Sequence, residues 1–184
     1  MNITVYLGAR DPVDPRLSAA VKELGTWIGS NGHHLIYGGS KCGLMGELAE
    51  SVLRSGGRVT GVEPQFFIDA GFEYDDITEL FVTTDMSDRK AKMIELGEAF
   101  IAFPGGTGTL EEIAEVISKL CLGHLEAPCI VYNLNGYYDR LKTLFFHMVE
   151  MGLAGVDMLE KVTFAENLEE IESIVETECL LRKY

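Results

Sequence analysis

The chain has 184 residues, of which 47% are hydrophobic and 24% are charged, and its formal net charge is −14. This length and composition predict one soluble globular domain, spanning residues 1–184, with a sizeable core. The acidic balance argues against nucleic acid or an anionic membrane as a partner, because such partners are bound through a positive field.

Four cysteines and four histidines are spread along the chain without the spacing of a metal site or of a disulfide framework. We therefore expect no metal and a reducing, cytoplasmic location. The first eight residues, Met-Asn-Ile-Thr-Val-Tyr-Leu-Gly, predict a first strand rather than a signal peptide. No stretch approaches the roughly 18 apolar residues that a membrane span requires.

Short apolar segments alternate with amphipathic segments along the chain, which indicates an α/β protein. We predict strands at residues 3–7, 34–37, 58–62, 80–83, 99–103, 129–132 and 162–164. We predict helices at residues 17–28, 47–53, 86–96, 110–120, 137–151 and 168–179. Residues 64–76 are irregular, and we expect a loop or short helix over a crevice or at an interface. Two early strand–helix–strand units predict a parallel sheet with right-handed connections.

Glycine turns follow three of the predicted strands, after Leu7, Tyr37 and Phe103. The carboxyl ends of parallel strands meet at one edge of a sheet, and ligands bind in the crevice outside that edge. The three turns, with Gly8 and Gly39 in the first two, are therefore expected to converge on one crevice.

The turn after Phe103 has the sequence Pro-Gly-Gly-Thr-Gly-Thr and leads into a helix. Pro104 ends the strand because it has no N–H for the ladder. The glycines let the backbone approach a ligand closely. Free N–H groups at the helix start, beside the hydroxyls of Thr107 and Thr109, predict a phosphate or carboxylate site. The turn is neither a P-loop nor a dinucleotide fingerprint, and a plain connection with a capped helix is the alternative.

Charged residues near the starts of the helices predicted at residues 86–96 and 110–120 also have alternative interpretations. Thr109 and Glu112 have the spacing of a capping box, in which the carboxylate would bond a backbone N–H and do no chemistry. Arg89 and Lys90 lie in the first turn of a helix for which Asp85 and Ser87 are candidate caps. Cations there oppose the helix dipole, which indicates either a functional use or two solvated surface cations.

Two motifs resemble those of one family. Residues 104–112 are similar to the Pro-Gly-Gly-x-Gly-Thr-x-x-Glu signature of the LONELY GUY (LOG) family. Residues 86–90, Met-Ser-Asp-Arg-Lys, resemble its Met-His-x-Arg-Lys motif. Residues 37–46 and 135–138 are similar to a second glycine turn and to a Gly-Tyr-Tyr segment of that family. The resemblance covers nearly the whole chain and is weakest after about Gly155.

The resemblance implies a single Rossmann-like, doubly wound parallel sheet flanked by helices, usually in a homodimer. It implies hydrolysis of the N-glycosidic bond of a nucleoside 5′-monophosphate, either a cytokinin riboside monophosphate or AMP, without a cofactor. Arg89 and Glu112 carry over as the catalytic residues. The residues predicted to bind substrate or its phosphate are Gly8, Gly39, Met86, Lys90, Gly105, Gly106, Thr107, Gly108 and Thr109.

Two departures from the family pattern bear on substrate preference: Ser87 stands where the family has histidine, and Leu7-Gly8-Ala9 replaces its Cys-Gly-Ser turn. Many relatives are labelled lysine decarboxylase, but no pyridoxal-phosphate lysine with its partners can be identified. One alternative is a nucleotide or phosphosugar binding protein without catalysis, resembling molybdenum cofactor carrier proteins. The other is a nicotinamide-dependent oxidoreductase, against which stands the missing Gly-x-Gly-x-x-Gly fingerprint.

Overall fold

The computed structural model describes residues 1–182. Seven strands form one sheet in which every neighbouring pair is parallel. The strands are β1 (Asn2–Tyr6), β2 (His34–Tyr37), β3 (Arg58–Pro64), β4 (Glu79–Thr83), β5 (Ala99–Ala102), β6 (Cys129–Tyr132) and β7 (Thr163–Ala165). Their order across the sheet is β4-β3-β2-β1-β5-β6-β7. The predicted doubly wound parallel sheet is confirmed.

The helices connect the strands and pack on the sheet. They are α1 (Pro15–Ser30), α2 (Gly43–Arg54), α3 (Gln65–Asp69), α4 (Met86–Leu96), α5 (Thr107–Cys121), α6 (Asp139–Glu150), α7 (Asp157–Lys161) and α8 (Leu168–Leu181), with a 3₁₀ turn at Leu134–Gly136. The six predicted helices are confirmed, and α3 is the short helix expected in the irregular segment. Among the helices of residues 1–182, none combines the length and apolar character needed to cross a membrane.

Two apolar layers enclose the sheet. On one face, α1, α2 and α8 pack against strand residues such as Val5, Leu35 and Ile101. On the other face, α4, α5, α6 and α7 pack against the alternate residues, such as Phe100 and Val131. Because both faces are covered, the strands need apolar side chains at successive positions, which explains their unbroken apolar runs.

The winding of the chain reverses between β1 and β5. These strands are neighbours, with Tyr6 opposite Ala102, but the chain proceeds outward from them in opposite directions across the sheet. The helices that follow them, α1 and α5, lie on opposite faces. The two connections therefore separate at the carboxyl edge and leave a crevice there, which is where ligands bind in open α/β sheets.

Candidate functional site

A cavity of about 780 Å³ occupies this crevice. It is bounded by the turn after β1, the start of α1, the glycine turn before α5 and the 3₁₀ turn. The structure brings together in its lining Gly8, Arg89, Glu112 and residues 105–109, whereas Gly39 of the second glycine turn does not line it. The chain thus places a helix N-terminus, a guanidinium and a carboxyl group around one space.

The N-terminus of α5 faces this cavity without a side-chain cap. The helix begins at Thr107, with Gly106 as its N-cap residue. The predicted capping box between Thr109 and Glu112 is wrong, because the extended backbone of Gly106 lets the helix start three residues earlier than the pattern indicated. Thr109 is instead a buried residue of the first turn. The N–H groups of that turn have no partners within the helix and are available to an anion.

Two tyrosines hold the glycine turn in place. The hydroxyl of Tyr137 donates a hydrogen bond to the carbonyl oxygen of Gly105 at 2.6 Å. The hydroxyl of Tyr138 donates to the carbonyl oxygen of Phe103 at 2.9 Å. A Cβ at position 105 would collide with the side chain of Thr109, so the turn requires glycine there. The family resemblance includes these tyrosines but assigns them no part in the site; their hydrogen bonds fix the backbone that lines the cavity.

Arg89 reaches the cavity from the first turn of α4. Asp85 caps this helix, as predicted, and its carboxylate accepts hydrogen bonds from the N–H groups of Ser87 and Asp88. The side chain of Arg89 is buried, and its Nε donates to the carbonyl oxygen of Val62 at 3.0 Å. The guanidinium is therefore held in one orientation by the end of β3.

Arg89 and Glu112 form a buried ion pair. Nη1 of Arg89 lies 3.3 Å from Oε1 of Glu112, and their side chains are 7% and 5% exposed. Burial raises the pKa of Glu112 to about 7, although the nearby Arg89 acts in the opposite direction. A carboxyl group that titrates near neutral pH is suited to accept or hold a proton during a reaction. The carboxylate contacts Arg89 rather than capping a helix.

Lys90 lies outside the lining of the cavity, unlike its neighbour Arg89. Its ammonium lies 2.6 Å from Oε1 of Glu111 and 3.3 Å from Oε2 of Glu115, both on α5. These acids compensate its charge and join α4 to α5. Contrary to the prediction, this arrangement does not offer Lys90 to a ligand in the cavity. Successive residues on a helix point about 100° apart, so adjacent cations in the sequence take different surroundings.

A second, apolar cavity of about 310 Å³ adjoins the first. Both cavities are lined by Ala9, Met45, Arg89 and Gly108. Met86 lines the apolar cavity, while Gly39, with a φ of +88°, lies behind it against the side chain of Glu63.

Glu63 is a lining residue that the sequence reasoning missed. It lies near the carboxyl end of β3, after the buried residues Val59, Thr60, Gly61 and Val62. An acidic residue at the carboxyl end of such a strand was the available signal, because ligands bind at that edge.

No group of three or more His, Cys, Asp or Glu side chains within residues 1–182 is arranged to hold a metal ion. All four cysteines are free thiols.

Comparison with known proteins identifies the family. A family model described as "Possible lysine decarboxylase" matches residues 45–175. The cytokinin riboside 5′-monophosphate phosphoribohydrolase of Rhodococcoides fascians is 38% identical over 169 residues, which cover 91% of this chain and 85% of the relative. The cytokinin riboside 5′-monophosphate phosphoribohydrolase LOG1 of Arabidopsis thaliana is 37% identical over 150 residues, covering 82% and 70%. The chain belongs to the LOG family.

The fold of this LOG-family chain also occurs in solved structures of lower identity. The molybdenum cofactor binding protein of Rippkaea orientalis superposes with a TM-score of 0.72 at 19% identity, covering 96% of this chain and 95% of the other. The molybdenum cofactor carrier protein of Chlamydomonas reinhardtii gives a TM-score of 0.73 at 21% identity, covering 97% and 98%. At these identities the likeness concerns the fold alone.

Proposed function

We propose that this LOG-family protein is a phosphoribohydrolase. It cleaves the N-glycosidic bond of a nucleoside 5′-monophosphate and releases the free base and ribose 5-phosphate. The observation that carries this proposal is the buried pair of Arg89 and Glu112 beside the uncapped N-terminus of α5, in one cavity. The names of the relatives, which are 32–38% identical, support the same reaction.

The 5′-phosphate binds at the start of α5. The N–H groups of residues 106–109 and the positive end of the helix dipole favour an anion there. Arg10 and Arg16 line the same cavity, where Arg16 is paired with Asp14. These local donors are needed because the protein as a whole carries a formal charge of −14.

Glu112 acts at the reacting carbon. When the C1′–N bond breaks, its electron pair leaves with the base and positive charge develops on the ribose. The carboxylate of Glu112 stabilises that charge and takes a proton from the water that adds to C1′, while the base acquires a proton at its nitrogen. Arg89 holds Glu112 in position, because its guanidinium is itself fixed by Val62.

AMP and cytokinin riboside monophosphates are the proposed substrates, and a cytoplasmic homodimer is the proposed state, with residues 1–184 acting as one domain. Four free thiols fit a reducing cytoplasm. The segments proposed for the dimer contact are the aromatic segment 66–74 and the helix after Tyr137. Large apolar side chains exposed on them support this choice, namely Phe66, Phe72, Leu144 and Phe146.

The test is chromatography of AMP and isopentenyladenosine 5′-monophosphate after incubation with the purified protein. We expect free base and ribose 5-phosphate from the wild type. Arg89→Ala should lose about 100-fold or more in turnover, because the positioned pair is broken. Arg54→Ala is the matched control, since Arg54 is an exposed residue of α2 that pairs with Glu50. Tight nucleotide binding by the wild type without release of base would contradict the proposal and indicate a binding protein.

A further inference from the structure

The apolar cavity beside Arg89 is a separate part of the site that adjoins the larger cavity. Its walls include Gly38, Phe67, Phe72, Met86 and Arg89, and the only acidic side chain among its described lining residues is Glu63. Its volume of about 310 Å³ is at the lower end of the range for small-molecule sites. Because Arg89 and Gly108 line both cavities, one ligand can extend from the glycine turn into this compartment.

Glu63 places a buried carboxyl group in this compartment. The residue is 1% exposed, and its Oε2 atom has no hydrogen-bond partner among the described residues. Burial raises the pKa of Glu63 to about 7, with Arg89 acting in the opposite direction. A buried polar atom without a partner costs free energy, so native proteins keep few of them. A ligand with a hydrogen-bond donor would supply the missing partner.

The backbone around Glu63 is fixed before any ligand binds. The N–H of Lys41 donates a hydrogen bond to the carbonyl oxygen of Phe72 at 2.9 Å. The N–H of Tyr74 donates one to the carbonyl oxygen of Gly39 at 3.0 Å. These bonds hold the aromatic segment over the end of β2. Gly39 adopts a φ of +88°, and a Cβ there would collide with the side chain of Glu63. The loop is therefore built to pass closely behind this carboxyl group.

We propose that Glu63 contacts the edge of the base and makes the site selective for purines that carry an exocyclic amino group. This inference rests on the proposed function. A phosphate at α5 and a C1′ atom at Glu112 direct the base past Arg89 into the apolar cavity. Phe67 and Phe72 offer apolar surface to the flat ring, and an oxygen of Glu63 accepts a hydrogen bond from the amino group. Glu63 thereby acts as a specificity-determining residue.

The test compares AMP with purine riboside 5′-monophosphate, which has hydrogen in place of the 6-amino group. The measured quantity is the ratio of the two kcat/KM values in each variant. Intrinsic differences between the leaving bases cancel when the ratios of variants are compared. We expect Glu63→Leu to reduce the preference for AMP by about tenfold or more, since one hydrogen bond is lost. Glu63→Gln should keep most of it, because the amide oxygen still accepts the bond.

Glu95→Gln is the matched control, because Glu95 is an exposed residue of α4 that pairs with Lys92 and lines neither cavity. It should leave the ratio unchanged. An unchanged ratio in Glu63→Leu would overturn the proposal and assign Glu63 a structural role. If Glu63→Leu does not fold, the flexible Glu63→Met replaces it in the same comparison.

The failure of the proposed function is a separate outcome. In that case the wild type releases base from neither nucleotide. Calorimetric Kd values for the same two nucleotides then test Glu63 alone. A tenfold or larger loss of preference in Glu63→Leu upholds the assignment, and an equal ratio in wild type and variant overturns it.

Discussion

Replacing Glu112 with glutamine removes the acidic group from its buried pair with Arg89 and keeps the size of the side chain. Breaking a fully ionic buried pair costs about 3–5 kcal/mol, because the remaining charge is left without a partner. Here the loss should be smaller. The pKa of Glu112 is about 7, so the carboxyl group is already partly protonated at neutral pH, and the amide oxygen can still accept from the guanidinium. We expect a decrease of at most about 2 kcal/mol in the free energy of unfolding.

The effect on turnover should be far larger. An amide can neither take a proton from water nor stabilise positive charge as a carboxylate does, so kcat should fall about 10²–10⁴-fold. Glu111→Gln is the matched control, because the neighbouring carboxylate is 61% exposed and pairs with Lys90. A surface pair of this kind contributes less than about 1 kcal/mol, so stability and turnover should stay near those of the wild type.

Base release from AMP under saturating conditions measures the turnover, and urea unfolding at pH 7 measures the stability. A folded Glu112→Gln protein whose kcat lies within about threefold of the wild type would refute a catalytic role. The buried pair would then be structural. Equal losses of kcat in Glu111→Gln and Glu112→Gln would also refute a catalytic role for Glu112. The losses would then follow from the change in overall charge rather than from the position of one carboxyl group.

Three further outcomes follow from other parts of the site. Gly38→Ala should lower kcat about 10–100-fold, because the new Cβ displaces the guanidinium of Arg89; a folded variant with wild-type kinetics would contradict this. Tyr138→Phe should cost about 1 kcal/mol in urea unfolding, because the carbonyl oxygen of Phe103 loses its hydrogen bond. The contribution of Glu63 to the free energy of unfolding should fall by up to about 3 kcal/mol between pH 4.5 and 7. In this range the folded protein keeps a proton on the Glu63 carboxyl group that the unfolded chain has released. Urea unfolding at pH 5 and 8 should therefore show a shallower pH dependence in Glu63→Leu, and equal slopes would contradict the raised pKa.

The architecture could be predicted from local sequence patterns. Unbroken apolar runs indicated strands covered on both faces, and the glycine turns after three of them located the carboxyl edge where the cavity lies. Asp85 was recognisable as a helix cap because its hydrogen bonds reach only two and three residues along the chain. Such features depend on neighbours in sequence, and the alternation of elements limits the possible connections between strands.

The surroundings of the charged side chains depended instead on packing between distant segments. Spacing alone favoured Glu112 as a cap, but the start of α5 at Thr107 and the contact with Arg89 place it in the cavity. The same packing turns Lys90 toward Glu111 and leaves Glu63 buried beside the aromatic segment. Local periodicity in the sequence indicates which face of a helix or strand is apolar. It does not indicate which other helix, strand or loop covers that face. Burial by that other segment sets the contacts and pKa values on which the proposed chemistry depends.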